Sequence, residues 1–375
     1  MSATLPSHLL PVERLDALLT ALRARGFSTV GPRLRDGAIV YDEIHGADEL
    51  PAGWADEQAP GHYRLRRRAD GALFGYAVGP HSWKRYLFPP QQVLWRVRRD
   101  ADGFHTEPGE AAPKPQAFIG VRACELHALA VQDRVFTGGE AVDPAYQARR
   151  QAVFVVAVQC TQAGGTCFCA SMDCGPQATS GFDLALTELI DAQRHDFLVE
   201  VGSEAGAALM QELHPPAASP EDVAAARART AATRAAMGRE MDTAGIKELL
   251  YRHAASPHWD AVASRCVSCG NCTSVCPTCF CSDVADVTSL DGDTAERTRH
   301  WASCFSPGFT HLSGGDARHG TASRYRHWIT HKLAAWQDQF GTSGCVGCGR
   351  CITWCPPGID ITEEVAALRR GEAQP

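Results

Sequence analysis

The sequence predicts an α/β (α+β) N-terminal region followed by a mostly helical C-terminal domain that is built around cysteine and contains a long insertion. Strand-like and helix-like segments alternate as far as about residue 213, which is typical of a sheet with helical connections. Eight of the 16 cysteines then lie in two short runs. The predicted parts are an N-terminal α/β region (1–110), a βαβ region (111–213), a helical linker (214–255) and the cysteine-rich domain (256–375).

An amphipathic helix is predicted close to the N-terminus. Leu15, Leu18, Leu19 and Leu22 follow the i, i+3, i+4, i+7 pattern of a helix with one buried face, and Gly26 is a suitable stop. Short strand-like runs follow, "AIVYDEI" and "QQVLWRV", separated by turns rich in Gly and Pro. The first 110 residues are therefore expected to contain both helix and strand.

The clearest α/β pattern begins at about residue 117. "AFIGV" predicts a strand, "CELHALAVQDRVF" a helix and "AVFVVAV" a second strand, an order that indicates a βαβ unit with parallel strands. "GFDLALTEL" and "DFLVEVG" extend this α/β region. Further on, "SPED" predicts a helix start with Ser219 as N-cap and Pro220 at the first position, so the Ala- and Arg-rich linker behind it is expected to be helical.

Composition and charge exclude several classes of protein. The net charge of −7 argues against a nucleic-acid-binding protein, whose binding surface would be basic. No apolar stretch has the length of a membrane span. The N-terminus lacks the apolar centre and cleavage site of a signal peptide. We therefore expect a cytoplasmic protein whose cysteines are thiols or metal ligands rather than disulfides.

Two cysteine runs share one spacing, C-x2-C-x2-C-x3-C-P, at "CVSCGNCTSVCP" and "CVGCGRCITWCP". A cubane [4Fe–4S] cluster needs four thiolates; one such loop supplies three, and its fourth cysteine ligates the other cluster. The two runs thus resemble the bacterial dicluster ferredoxin module. Carried over residue by residue, this resemblance assigns one cluster to the first ferredoxin set, Cys266, Cys269, Cys272 and Cys355. It assigns the other to the second ferredoxin set, Cys276, Cys345, Cys348 and Cys351.

The alternative for these runs is a pair of structural zinc sites, because C-x2-C knuckles also bind zinc. A zinc ribbon does not need a third and a fourth cysteine in each run followed by Pro, so the spacing favours the clusters. The segment between Cys276 and Cys345 is far longer than in a small ferredoxin. We expect this insertion to make a contact of its own.

Four further cysteines are expected to meet at one edge of the sheet. Cys124 and Cys160 each follow a predicted strand almost at once. If those strands are parallel neighbours, both thiols emerge at the carboxyl edge, where α/β folds place ligands. Cys167 and Cys169 lie in the loop just behind Cys160. We therefore predict a third [4Fe–4S] cluster held by these four cysteines, which we call the upstream set.

The upstream cysteines have a structural alternative, because the C-x-C pair of Cys167 and Cys169 is a weak motif on its own and buried cysteines are often small inert hydrophobes. A helix N-terminus, in contrast, would favour the thiolate form of Cys124. Cys279, Cys281 and Cys304, which we call the downstream set, either hold a fourth cofactor or shield the neighbouring cluster.

The insertion contains a basic stretch, which consists of Arg318, His319, Arg324, Arg326, His327, His331 and Lys332. It is interpreted as a solvated positive face, as a group of cations that stabilises a reduced cluster, or as a docking surface for an acidic partner.

Several stretches together resemble the iron–sulfur chain shared by two kinds of complex: "GVRACELHALAVQDRVF", "TCFCASM", "GFDLALTEL", "CVSCGNCTSVCPTCFC", "HWASCFSPGF" and "CVGCGRCITWCPP". One is the cytoplasmic NAD(P)-linked [NiFe] hydrogenase, or sulfhydrogenase, whose β subunit is of this kind; the other is anaerobic sulfite reductase, which has an iron–sulfur chain built alike. The resemblance covers most of the chain from about His81 onward. In the resembled family, cysteines occur at the positions of the upstream and downstream sets, and usually not at Cys174, which could substitute for Cys169.

This resemblance implies a chain that passes electrons between a flavin- and NAD(P)-binding partner and a catalytic partner, either a [NiFe] hydrogenase or a sirohaem sulfite reductase. The sequence itself has no G-x-G-x-x-G after a strand, no P-loop and no H-E-x-x-H, and we assign no catalytic residue. Electron transfer in a hydrogenase complex is the favoured function. The alternatives are the corresponding iron–sulfur chain of an anaerobic sulfite reductase complex and a chain with its own catalytic iron–sulfur centre built from the downstream set.

Overall fold

The computed structural model describes residues 7–109 and 113–372, so the predicted boundary at residues 110 and 111 lies outside the described residues. The strands are β1 (Ser7–Pro11), β2 (Ser28–Arg35), β3 (Ala38–Glu43), β4 (Trp54–Ala59), β5 (His62–Arg67), β6 (Gln91–Asp100), β7 (Gly103–Pro108), β8 (Gln116–Val121), β9 (Val153–Val158), β10 (Leu184–Ile190), β11 (His195–Val201), β12 (Ser282–Thr288), β13 (Thr294–Trp301), β14 (His311–Leu312) and β15 (Gly315–Asp316).

The helices are α1 (Leu15–Ala24), α2 (Lys84–Leu87), α3 (Ala123–Phe136), α4 (Pro144–Gln151), α5 (Glu204–Leu213), α6 (Pro220–Ala235), α7 (Ile246–Arg252), α8 (His258–Ala263), α9 (Asn271–Ser274), α10 (Thr321–Thr330), α11 (Trp336–Phe340), α12 (Arg350–Thr353) and α13 (Ile361–Glu372). A π-helical turn (His331–Ala335) joins α10 to α11. None of these helices, in the part of the chain that the structure describes, has the length and apolarity that crossing a bilayer requires.

A seven-stranded mixed sheet, in the order β1-β11-β10-β9-β8-β2-β3, forms the centre of the N-terminal half. The middle strands β10, β9, β8 and β2 are parallel, and antiparallel strands flank them on both sides. The predicted βαβ unit is therefore confirmed as β8, α3 and β9. The sheet takes strands from both sides of residue 110, because β1, β2 and β3 join those of the βαβ region.

Helices cover both faces of this sheet. Along β8, Ile119 points into the core that α1 and α5 cover, while Phe118 points into the core under α2, α3 and α4, as expected for alternating side chains. The four leucines predicted to form the apolar face of α1 are fully buried, and the helix ends two residues before Gly26. Helix α6 begins as predicted, with Ser219 and Asp222 forming a capping box.

The cysteine-rich domain is not helical throughout. Helices α8, α10, α12 and α13 contribute to a core that includes Trp259, Trp328 and Leu333. The insertion, however, supplies β12 and β13 as well as the short pair β14 and β15. Strand β13 pairs with β6 from the N-terminal half, which gives a four-stranded sheet in the order β12-β13-β6-β7. The contact expected of the insertion is therefore made, at least in part, within the chain itself.

Candidate iron–sulfur centres

The two ferredoxin loops adopt the same local conformation. In each run the glycine after the second cysteine has a positive φ, +75° at Gly270 and +74° at Gly349, and caps a four-residue helix, α9 or α12. Glycine adopts a positive φ at little steric cost, so "CGNC" and "CGRC" share a structural requirement. The two motifs thus form an internal pair, as their spacing predicts.

The first ferredoxin set surrounds a single cavity. Its four cysteines line this cavity together with Cys351 and the apolar side chains of Phe305, Trp328 and Ile359. Two backbone N–H groups donate to its sulfurs: that of Ser268 to Cys266 Sγ, at 3.4 Å, and that of Ile359 to Cys355 Sγ, also at 3.4 Å. Amide donors aimed at sulfur fit thiolate ligands, because hydrogen bonds to the sulfurs stabilise their negative charge.

The second ferredoxin set brings its four thiols within electrostatic reach of one another. Cys276, Cys345 and Cys348 are buried. Burial raises the pKa of the Cys351 thiol well above its ordinary value, and the charges of the other three raise it further. Buried thiols that repel each other in this way become thiolates when a metal ligates them, since a coordinating thiol is deprotonated outright. The donor set therefore fits a thiolate-ligated cluster.

The upstream set also surrounds one cavity. Cys124 lies in the first turn of α3, directly behind β8, and Cys160 follows β9, so the parallel pairing of β8 and β9 brings the two together. Cys167 and Cys169 complete the lining of the same cavity, which Cys348 of the second ferredoxin set also borders. The buried guanidinium of Arg122 places Nη1 3.9 Å from Cys160 Sγ. The four predicted residues are thus assembled at the carboxyl edge of the sheet.

Two details add to the sequence analysis of the upstream set. Burial, followed by the charges of Cys169 and Cys348, raises the pKa of the Cys124 thiol well above its ordinary value. Cys174 does not line the cavity, and its thiol donates to the backbone oxygen of Met172 at 3.1 Å. The geometry therefore favours Cys169 over Cys174 as the ligand.

The three sets are contiguous, with the second ferredoxin set in the middle. Cys351 borders the cavity of the first ferredoxin set, and Cys348 borders that of the upstream set. The backbone N–H of Phe168, inside the upstream "TCFC", donates to the backbone oxygen of Gly347 at 2.8 Å. The upstream loop and the second ferredoxin loop are thus in direct backbone contact.

In the downstream set, Cys279 and Cys281 line a polar cavity at the open end of the β12–β13 hairpin, and Cys304 lies three residues beyond the end of β13. Among the described residues, no three His, Cys, Asp or Glu side chains are gathered as ligands of one metal ion. A four-thiolate zinc site would need such a gathering, with every sulfur about 2.3 Å from the ion.

Three charged side chains beside these cysteines are buried, which the sequence analysis did not identify. Lys332 and Lys84 are buried beside thiols, and Arg350 is buried against Glu125. Lys332 belongs to the basic stretch of the insertion, but nothing in that stretch distinguishes a buried lysine from an exposed one. Arg350 lies inside the second ferredoxin run, whose spacing predicts the cysteine ligands but says nothing about the burial of the residues between them.

Comparison with known proteins agrees with the geometry. Residues 265–359 match the family model described as a 4Fe-4S dicluster domain. The chain is 29% identical over 297 residues to the sulfhydrogenase 2 subunit β of Pyrococcus furiosus, an alignment that covers 77% of this chain and 83% of the relative. No solved structure matches the chain. The chain is therefore an iron–sulfur protein of electron transport, a homologue of a sulfhydrogenase β subunit that carries a 4Fe–4S dicluster domain.

Proposed function

We propose that the chain relays electrons between a partner that binds flavin and NAD(P) and the catalytic partner in a hydrogenase or sulfhydrogenase complex. The observation that carries this proposal is the contiguity of the three cysteine sets, in which Cys348 and Cys351 each border the cavity of a neighbouring set. When bound, a [4Fe–4S] cluster supplies a site that accepts and releases one electron. The cysteines of each set hold the clusters.

The surroundings of the cysteines suit a relay. Phe305, Tyr325 and Trp328 line the first ferredoxin cavity with aromatic surface. Arg122 and Lys332 place positive charge against Cys160 and Cys276. Since solvent exclusion and nearby charges set the potential of a cluster, these side chains give the sets different environments and hence different potentials.

The choice of complex rests on the relative's name. A sulfhydrogenase β subunit supports a hydrogenase complex rather than an anaerobic sulfite reductase. The relay also predicts that the isolated, iron-loaded chain, given a reduced viologen donor, turns over neither protons nor sulfite. Turnover of either substrate by the isolated chain would instead support a catalytic centre of its own.

The upstream set provides the sharpest test of the ligand assignment. Cys124→Ser/Cys167→Ser, purified anaerobically, should contain about four fewer irons per chain than the unmodified protein, because one [4Fe–4S] cluster is lost. Cys174→Ser is the matched control: it removes a buried cysteine of the same region that lies outside the cavity, and should keep its iron. Equal iron content in the double variant and the unmodified chain would show that the upstream cysteines are structural residues and hold no cluster.

A further inference from the structure

Helix α10, which belongs to the insertion, lies against the first ferredoxin cavity. Its residues Tyr325 and Trp328 are three positions apart, and so on one face of the helix, and both line this cavity. Their ring centres are 5.4 Å apart. Thr321, the first residue of α10, places its Oγ1 2.9 Å from the Oγ of Ser268 in the first ferredoxin loop. The two aromatic side chains are therefore held beside the cysteines of this loop.

Both side chains carry a buried hydrogen-bond donor without a partner in the part of the chain that the structure describes. These donors are the hydroxyl of Tyr325 and the indole Nε1–H of Trp328. The two residues are only 3% and 4% exposed, so their donors are turned away from solvent. Buried donors are nearly always hydrogen-bonded in native proteins, and Trp259 of the same core donates its Nε1–H to the backbone oxygen of His253 at 2.7 Å. The two unpartnered donors therefore indicate an acceptor that does not belong to the polypeptide.

The environment of these donors in the cavity is rich in sulfur. Five cysteines line it, and apart from one asparagine and Tyr325 itself none of the other lining side chains carries a hydrogen-bond acceptor. The Tyr325 hydroxyl lies within electrostatic reach of three of these cysteines. Burial raises the pKa of this hydroxyl well above its ordinary value, and charges raise it further, first that of Glu364 and then those of Cys351, Cys272 and Cys355. The hydroxyl is thus located among the sulfurs of the first ferredoxin cavity.

A [4Fe–4S] cluster in this cavity supplies the missing acceptors, which are its sulfides and the thiolates that hold it. These sulfurs carry negative charge, and a hydrogen bond to an ionised acceptor is stronger than one between neutral groups. Two backbone N–H groups, those of Ser268 and Ile359, already donate to cysteine sulfurs of the set. Since reduction adds negative charge to the cluster, further donors to its sulfurs stabilise the reduced form more than the oxidised form.

We propose that Tyr325 Oη and Trp328 Nε1 donate hydrogen bonds to the sulfurs of the cluster held by the first ferredoxin set, and thereby raise the potential of that cluster. Neither residue is a ligand of the iron. The inference rests on the proposed function, because it requires a cluster in this set, and it adds the residues that adjust the potential of one centre of the relay. It also gives the insertion a role, since α10 supplies both donors.

The test is a redox titration, followed by EPR, of the anaerobically purified full-length chain and its variants. Tyr325→Phe/Trp328→Phe should decrease the ratio of reduced to oxidised first ferredoxin cluster at a given potential by about tenfold, which is about 59 mV for a one-electron couple. The control is Trp259→Phe, which makes the same change in the same core at a residue that does not line the cavity, and should leave the potential unchanged. An unshifted potential in the double variant would overturn the proposal, as would an equal shift in the control.

Tyr325→Phe alone keeps the test decisive if the larger variants load iron poorly, because it removes a single oxygen atom. It should decrease the same ratio by about threefold, which is about 28 mV, and an unchanged potential would overturn the proposal. Iron analysis of the unmodified chain separates the two possible failures. If the first ferredoxin set held no iron, both the relay and this proposal would be wrong, whereas full iron content with an unshifted potential in the variants would contradict the hydrogen bonds alone.

Discussion

Lys332 is held close to a cysteine of the second ferredoxin set, Cys276. It belongs to the π-helical turn His331–Ala335, a local irregularity that is frequent at functional sites. Its Nζ lies 3.0 Å from Cys276 Sγ, 3.1 Å from Thr278 Oγ1 and 3.3 Å from the backbone oxygen of Gly344. Reduction adds negative charge to a cluster, so a fixed cation at this distance should stabilise the reduced form and raise the potential.

Replacing this charge should lower the potential of the second ferredoxin cluster. We predict that Lys332→Gln decreases the ratio of reduced to oxidised cluster at a given potential by at least about tenfold, which is about 59 mV for a one-electron couple. Lys332→Arg, which keeps the charge, should shift the potential less. The measurement is a redox titration of the loaded chain followed by EPR. Identical titration curves for the two variants would show that the charge has no such role.

At the scale of residues, the spacing of cysteine ligands can be read from the sequence, but the burial of a charged side chain cannot. The eight ferredoxin cysteines were predicted because their ligand geometry is imposed by one short loop in each run. The basic stretch of the insertion was open to three interpretations; its Arg324 and Lys332 turn out to be buried. Burial also lowers the pKa of His327 to about 4, so that residue adds no positive charge near neutral pH.

At the scale of elements, the second ferredoxin loop is pressed against the upstream loop. Gly347 has a φ of +65°, and a Cβ atom built on it would lie 2.6 Å from the backbone nitrogen of Cys169. A Cβ on Gly349 would meet the backbone oxygen of Thr166 at 2.4 Å. Because these neighbours are backbone atoms, they cannot be moved aside like a flexible side chain. The two glycines allow the contact between the loops.

This contact predicts different results for two glycines of the same conformation. Gly341→Ala at φ +66°, with nothing within 4 Å of the added Cβ, should cost about 1–2 kcal/mol of stability and no iron. Gly347→Ala should in addition force the loops apart and lower the iron content, by up to about four per chain. Iron analysis and thermal unfolding of both variants provide the measurement. If the two variants had the same iron content, the loop contact would not matter for cluster binding.

The sequence predicts elements well where their partners are near along the chain. Strand β8, helix α3 and strand β9 follow one another, so their order alone indicates parallel pairing and the meeting of Cys124 with Cys160. The pairing of β6 with β13 brings Arg96 to Glu296, 200 residues further on. The two strands have ten and eight residues, and no feature of either sequence specifies the other as its partner. The β-structure of the insertion was therefore missed.

At the scale of the whole molecule, a buried ion pair joins the α/β half to the cysteine-rich half. Arg350, within the second ferredoxin run, pairs with Glu125, the residue after Cys124. Arg350 also donates to the backbone oxygens of Gly79 and His81, both at 2.9 Å, and Glu125 accepts from the backbone N–H of Trp83 at 3.1 Å. The pair fixes the second ferredoxin set against the upstream set.

Breaking this pair should destabilise the chain far more than breaking a surface pair. Glu125→Gln leaves a buried guanidinium without its counter-charge, and we expect it to lower the free energy of unfolding by about 3–5 kcal/mol. Glu57→Gln removes the partner of Arg66 in an exposed pair and should cost less than about 1 kcal/mol. Anaerobic denaturant titration of the loaded variants measures both. Similar losses in the two variants would show that the buried pair does not hold the halves together.

The central claim is that the cysteine sets form one contiguous relay, and spin coupling tests it most directly. We would record EPR spectra of the unmodified chain during stepwise reduction and compare them with Cys124→Ser/Cys167→Ser. Neighbouring reduced clusters should broaden and split each other's signals, and the splitting assigned to the middle cluster should simplify in the double variant. Unsplit, independent signals in the fully reduced unmodified chain, unchanged by the double substitution, would contradict the relay.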